Sequence, residues 1–164
     1  MRIRAPNPAD LSTIAEIYNH YILSTTITFD ETEVTPADMA ERVQEVASSS
    51  FPWLVAEESG QVVGFAYASK WKGRCAYRHS AETTVCVTPT AVDRSIGTAL
   101  YEALFGVLRQ SVHAIIGGIA LPNPASIALH ERFGMRKVAH FEQVGFKFGK
   151  WIDVGYWELV TAPT

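Results

Sequence analysis

Cysteine is scarce in this chain: Cys75 and Cys86 are the only two in 164 residues. Cys86 sits inside the apolar run Val85–Val87, where a thiol serves as a small buried hydrophobe, and both cysteines are expected to be free. No stretch approaches the roughly 18 apolar residues of a membrane span, and the opening MRIRAPNPAD lacks the apolar centre of a leader. A soluble, cytoplasmic protein without a membrane partner is therefore expected. Charge of one sign is also lacking. A formal net charge of -3 and a pI near 5.9 leave no general electrostatic hold on nucleic acid. Low-complexity tracts, internal repeats and linkers are missing too, and 48% hydrophobic with 19% charged residues is ordinary globular composition. What remains is one expected domain, residues 1–164, large enough to bury roughly 70% of its unfolded-state surface.

Arg2 to Arg4 reads as a short edge strand. Asn7-Pro8-Ala9-Asp10 then reads as an N-cap, a first-turn proline and an acid near the positive end of a helix dipole. Leu11, Ile14, Ala15, Ile17, Tyr18, Tyr21 and Ile22 give that helix its apolar face, with Asn19 and His20 off the stripe. Ser24 to Glu33 is β-branched and polar around Phe29 and reads as a loop bordering a pocket. Thr35-Pro36-Ala37-Asp38 starts a second helix. Trp53–Glu57 and Gln61–Ser69 form a hairpin about Glu58-Ser59-Gly60, and a loop rich in cations and aromatics, Lys70 to Ser80, follows.

Ala81–Leu104 holds the strongest local signal. A β-branched strand breaks at Thr88-Pro89, and an apolar helical pattern resumes at Gly97. Such a junction aims free backbone N–H groups and a helix N-terminus at one point, where a phosphate can sit. An ordinary strand–loop–helix connection reads the same way. Beyond it lie the apolar strand Ala114–Ala120 with Gly117-Gly118, a helix capped by Asn123 and closed by Gly134, and a hairpin of Lys137–Gly145 and Trp151–Val160. The glycine pair marks a bulge or a close approach by another group. The order β, α, α, β, β, β, α, β, α, β, β implies a mixed sheet with helices on both faces.

Several segments in this order resemble the GCN5-related N-acetyltransferase (GNAT) superfamily, and within it the phosphinothricin and methionine sulfoximine acetyltransferase branch. They are NHYILSTTITF from Asn19, FPWLVAEESGQVVGFAYASKWKGRCAY from Phe51, AETTVCV from Ala81, LPNPASIALHERFGM from Leu121 and GFKFGKWIDVGYW from Gly145. The resemblance implies an α/β fold with a mostly antiparallel sheet of six to seven strands, splayed at a central parallel pair. It also implies acetyl-CoA as cosubstrate, no metal, a small-molecule amine as acceptor and a homodimer.

Residue roles follow from the same resemblance. Glu82 matches the acid that acts as general base, a role the chemistry requires because an α-ammonium must lose a proton before attacking a thioester. A Glu paired with a nearby Arg at a strand start is its plainer reading. Val85, Cys86 and Val87 would offer main-chain groups to the pantetheine arm, and Asn123 lies beside it as well as capping its helix. The pyrophosphate signature, [RQ]-x-x-G-x-[GA], falls on Val92, Asp93, Arg94, Ser95, Ile96 and Gly97, and only Gly97 matches. Backbone N–H groups from Asp93 to Thr98 would still hold the phosphates. Asp93 brings a like charge that repels by about 3 kcal/mol at about 6 Å and an effective dielectric near 20, unless it turns outward or Arg94 offsets it. His130 takes the place where relatives carry the acid that protonates the leaving thiolate; a helix-surface hydrogen bond is its other reading. Lys72, Arg74 and Tyr77 would bind an acceptor carboxylate or phosphinate and Phe29 would wall its pocket, the plain alternative for the cations being a solvated loop. Acceptors other than amino-acid analogues, and a non-catalytic binding module with a decayed phosphate turn, stay open on the sequence.

Overall fold

The computed structural model describes residues 1–91 and 95–161. Seven strands form one sheet: β1 (Arg2–Arg4), β2 (Trp53–Glu58), β3 (Gln61–Lys70), β4 (Ser80–Val87), β5 (Ala114–Ala120), β6 (Arg136–Lys147) and β7 (Lys150–Val160). Their spatial order is β1-β2-β3-β4-β5-β7-β6, and among the described residues only β4 and β5 run parallel. The four helices are α1 (Leu11–Ser24), α2 (Pro36–Ser48), α3 (Ile96–Ser111) and α4 (Pro124–Arg132).

Two apolar clusters flank the sheet. Ile14, Ile17 and Ile22 of α1 and Met39 and Val46 of α2 pack with Val55, Phe65 and Cys86 on one face. On the other, Leu100, Tyr101, Leu104, Phe105 and Leu108 of α3 meet Ala66, Ala68, Ala81, Ile115 and Trp157. Helices on both faces and a mostly antiparallel seven-stranded sheet are as expected. Cys86 is buried and Cys75 exposed, both as free thiols.

The hairpin turns follow from backbone chirality. Ser59-Gly60 and Phe148-Gly149 all take positive φ, the geometry that matches a two-residue turn to the twist of its strands. The first helix differs from the sequence reading. Asn7 does form a capping box with Asp10, but it caps a 3-10 turn over Pro8–Asp10, and α1 begins at Leu11. Asp10 has a competing partner there: its carboxylate accepts from Arg4 at 2.6 Å and 2.9 Å, tying the turn to β1. No helix among the described residues is long and apolar enough to cross a membrane.

Candidate active site

The parallel pair is short. Ser80, Ala81 and Glu82 of β4 face Ala114, Ile115 and Ile116 of β5, and there the pairing stops although both strands continue. Backbone groups alternate in direction along a strand. Thr88 N–H donates to Val63 and the Ser80 carbonyl accepts from Trp71, so even-numbered residues of β4 face β3. Thr83, Val85 and Val87 therefore face the opening. On β5, Leu121 N–H donates to Asp153 and Ala114 N–H to His79, so Gly118 and Ala120 face it from the other side. The Thr83 hydroxyl, 3.4 Å from the Ile116 carbonyl, sits at the apex of the splay.

Three adjoining cavities that share lining residues form a trough along this opening. Its central stretch, about 240 Å³, is bounded by Val85, Gly118, Ala120, Asn123 and His130. Toward α3 it widens to about 370 Å³ between Val87, Ser95, Gly97 and Thr98 on one side and Asn123, Ser126 and Leu129 on the other. Among the residues expected to meet pantetheine, Val85 and Val87 present main-chain groups here. The Val87 carbonyl is already taken by the Tyr21 hydroxyl at 2.5 Å. Cys86 borders the central stretch too, but strand alternation directs its main chain to β3, and its side chain packs with the α1 core. Burial pushes its thiol up to about 12.

At the head of α3 the first intrahelical bond runs from Ala99 N–H to Ser95 O. The N–H groups of Ile96, Gly97 and Thr98 thus project beyond the helix end, a built anion seat. Ser95 stands at the N-cap with φ 58°, in the left-handed region, and its side chain makes no cap. This explains why the family pattern asks for glycine at that position. Asp93 and Arg94, with Val92, lie outside the described residues. Asn123 caps α4 by accepting from Ser126 N–H at 3.1 Å, and lines the trough as well. Projecting N–H groups, an unpaired strand edge and a narrow channel between them fit the pyrophosphate and pantetheine of acetyl-CoA.

The other end opens into a cavity of about 750 Å³, mostly apolar, walled by Ile27, Phe29, Trp71, Phe141, Val144 and Tyr156. Glu82 and Lys72 bring charge into it. Glu82 occupies the last paired rung of the splay, half-buried, and burial raises its carboxyl above the ordinary value while Lys72 pulls the other way. Gly118 lets the carboxylate come close: a Cβ there would lie 3.3 Å from Glu82 Oε1 and 3.0 Å from the Tyr156 ring. The Lys72 ammonium rests 4.8 Å from the Trp71 ring centroid. Phe29, Lys72 and Glu82 thus come together at one cavity. Arg74 and Tyr77 are exposed in a loop and do not line this cavity.

His130 lies beneath the trough and is buried. Its Nδ1 is 2.7 Å from the Ser126 carbonyl, which can only accept, so Nδ1 carries the proton. Nε2 then accepts from the Tyr101 hydroxyl at 3.1 Å, and Tyr101 in turn meets Thr83 at 3.1 Å. Burial lowers the imidazole pKa, favouring this neutral ring. The ring presses on Gly117, where a Cβ would stand 2.5 Å from Cδ2 and Nε2. Both adjacent glycines therefore answer to close approaches, from opposite faces of β5.

Sequence reasoning missed Ile27, Trp71, Tyr156, Tyr21 and Tyr101. Ile27 lay inside the loop read as a pocket border, and Trp71 inside the loop read as rich in cations and aromatics. Tyr156 and Tyr101 carried no local signal, because each reads as an ordinary apolar position in a strand or helix.

Comparison with known proteins agrees with this geometry. The family described as acetyltransferase (GNAT) domain matches residues 3–155. Phosphinothricin N-acetyltransferase of Streptomyces coelicolor is 36% identical, over 96% of this chain and 95% of that protein. The L-methionine sulfoximine/L-methionine sulfone acetyltransferase of Salmonella typhimurium is 33% identical, over 97% and 94%. A GNAT superfamily phosphinothricin acetyltransferase from Sinorhizobium meliloti, solved in complex with AcCoA, superposes with a TM-score of 0.94 at 34% identity, covering 98% of this chain and 88% of that one. With its splayed parallel pair and open helix N-terminus, the chain belongs to the GNAT acetyltransferase family and is an acyltransferase that uses acetyl-CoA.

Proposed function

We propose that this enzyme transfers the acetyl group to the α-amino group of a small amino-acid analogue of the phosphinothricin, methionine sulfoximine or methionine sulfone type, with Glu82 as general base. The carrying observation is the position of Glu82: on the last paired rung, half-buried, where the cofactor trough opens into the acceptor cavity. The acceptor amine arrives protonated at neutral pH, and a carboxyl raised by burial is matched to take that proton, directly or through one water. Acetyl-CoA, when bound, supplies the activated thioester. Lys72 stands at the same cavity to attract a carboxylate or phosphinate, and the apolar walls Phe29, Trp71 and Tyr156 enclose a side chain. Attack is direct, because the buried Cys86 thiol, pushed up to about 12, is no nucleophile. His130 is expected to supply the proton for the departing thiolate; because its neutral ring carries no proton on Nε2, the ring must first take one up there, and Nε2–H would then donate to the Tyr101 hydroxyl as that hydroxyl passes its own proton to the thiolate, leaving His130 neutral again.

A homodimer completes the reading. Val144, Phe146, Phe148 and Trp151 stand exposed at the tip of the β6–β7 hairpin, the segment that the resemblance assigns to a dimer contact. Sedimentation of Trp151→Glu against the parent chain tests it: monomers from the variant and dimers from the parent are expected.

Free-thiol release over a panel of amines decides the acceptor. Turnover of methionine sulfoximine, methionine sulfone or phosphinothricin at least about tenfold above that of a polyamine or a peptide N-terminus is expected. Preference for either of the latter would replace the amino-acid reading.

A further inference from the structure

Lys147 is the one charged residue of the described chain among its largest fully buried side chains, at 2% exposure, and the chemistry above does not use it. An ammonium is costly to bury unless it is bonded. Its bond is specific: Nζ donates to the Thr28 carbonyl at 2.8 Å, across 119 residues of sequence. Thr28 precedes Phe29, and the Phe29 ring lies on Gly145, two residues before Lys147 on β6. A Cβ at Gly145 would fall 2.5 Å from Phe29 Cζ and within 3.0 Å of both Cε atoms. Residues two apart on a strand share a face. That face carries Gly145, Lys147 and the buried Ile152, while Phe146 and Trp151 turn outward.

The loop between α1 and α2 is thus held from two sides. From α1, the Tyr18 hydroxyl meets Thr28 Oγ1 at 2.9 Å and donates to Asp30 at 2.5 Å, and Asn19 pairs both ways with the Val34 backbone. From β6, Lys147 holds the main chain beside Phe29 and Gly145 seats the ring. Ile27 and Phe29 of this loop both line the acceptor cavity and the central trough.

We propose that Lys147 is a positioning residue for the acceptor: by gripping the Thr28 carbonyl it fixes Phe29 as a rigid wall of the acceptor cavity. The inference rests on the acetyltransferase reading of that cavity. A methionine at 147 would fill the space without reaching the carbonyl, so the wall would loosen while the cofactor end stays intact.

The test is a double-mutant cycle of Lys147→Met and Phe29→Ala, with methionine sulfoximine and acetyl-CoA as varied substrates. Lys147→Met should raise the acceptor KM by about tenfold, leaving kcat within about threefold and the acetyl-CoA KM within about twofold. The double variant should be no worse than Phe29→Ala, since the lysine acts through the ring. An unchanged acceptor KM, additive losses, or equal damage to both KM values would overturn the proposal. Should Lys147→Met fail to fold, Lys147→Gln carries the same test with a shorter donor: an intermediate rise in acceptor KM supports it, and none overturns it. Amide hydrogen exchange over residues 25–30 gives a readout independent of turnover. Faster exchange in the variant supports the grip and unchanged exchange overturns it, even if the parent acetylates no amine, an outcome that would fell the acetyltransferase reading by itself.

Discussion

The two ends of the trough are built from different materials. The cofactor end is mostly main chain from three short stretches: one strand edge, one helix terminus and the cap at Asn123. The acceptor end is mostly side chain, gathered from residues as far apart as Ile27 and Glu158. Backbone N–H groups can serve an anion whatever side chains they carry, so the first end tolerates Ser95 in place of glycine at a cost in backbone strain rather than in chemistry. The second draws its chemistry from individual groups, and single substitutions there should have the larger effects.

The largest is expected at Glu82. Replacing it with Gln keeps size and hydrogen bonding but removes the base, and should lower kcat/KM by about 10²–10⁴-fold. Acetyl-CoA binding, followed by calorimetry, should not change, because the cofactor end does not include this carboxylate. Unchanged turnover would remove Glu82 from the chemistry and leave the contrast between the two ends without its main support.

How legible each end was in the sequence follows from the same contrast. Strand, turn and helix start between Glu82 and Thr98 are consecutive, so β-branching, Thr88-Pro89 and the apolar helical pattern disclosed them. Phe29, Lys72 and Glu82, all three named through the family resemblance, line one cavity. Tyr156 and Tyr101 were not named, since their roles arise only where β7 and α3 pack against other elements. Arg74 and Tyr77 illustrate the converse: chemistry suited to a carboxylate, in the right loop, whose side chains the fold leaves exposed outside the cavity. Cys86 borders the central stretch, but one step of strand alternation turns its main-chain groups to the neighbouring strand instead of the opening.

Between the ends lies Gly117, and a methyl group there probes both. Its Cβ would meet the His130 ring at 2.5 Å, and that ring is held by Ser126 and Tyr101 and cannot yield cheaply. Gly117→Ala should therefore destabilise the fold by about 1–3 kcal/mol, read as a lower midpoint in denaturant. Restoration by a second change, His130→Ala, would show that the ring is the obstacle. A stable single variant would mean that His130 is free to move.

A smaller and favourable effect is expected at the cofactor end. Ser95 holds φ 58°, which costs a non-glycine residue about 1–2 kcal/mol. Ser95→Gly relieves that cost but gains chain entropy when unfolded, offsetting about 0.4–1 kcal/mol. A net rise in stability of under about 1.5 kcal/mol is expected, with none in Ser95→Ala, which keeps the strain.

The smallest effect is a displacement of the pH profile, read separately from the loss of acceptor affinity that removing Lys72 also brings. Glu82 is pushed up by burial and drawn down by Lys72, so the two act on one titration with opposite signs. Activity requires the ionised carboxylate and therefore rises with pH through its pKa. Removing the positive charge in Lys72→Met withdraws the downward pull, and the acidic limb of the kcat/KM profile should move to higher pH. Lys72 is exposed, and its field reaches Glu82 partly through solvent, where salt screens it within about 10 Å at 0.1 M. High salt should accordingly shift the parent profile in the same direction and leave the variant's almost still. If the limb moved to lower pH instead, or persisted in Glu82→Gln, another group would be titrating, and the base would have to be sought elsewhere in the acceptor cavity, with Glu158 the first to test.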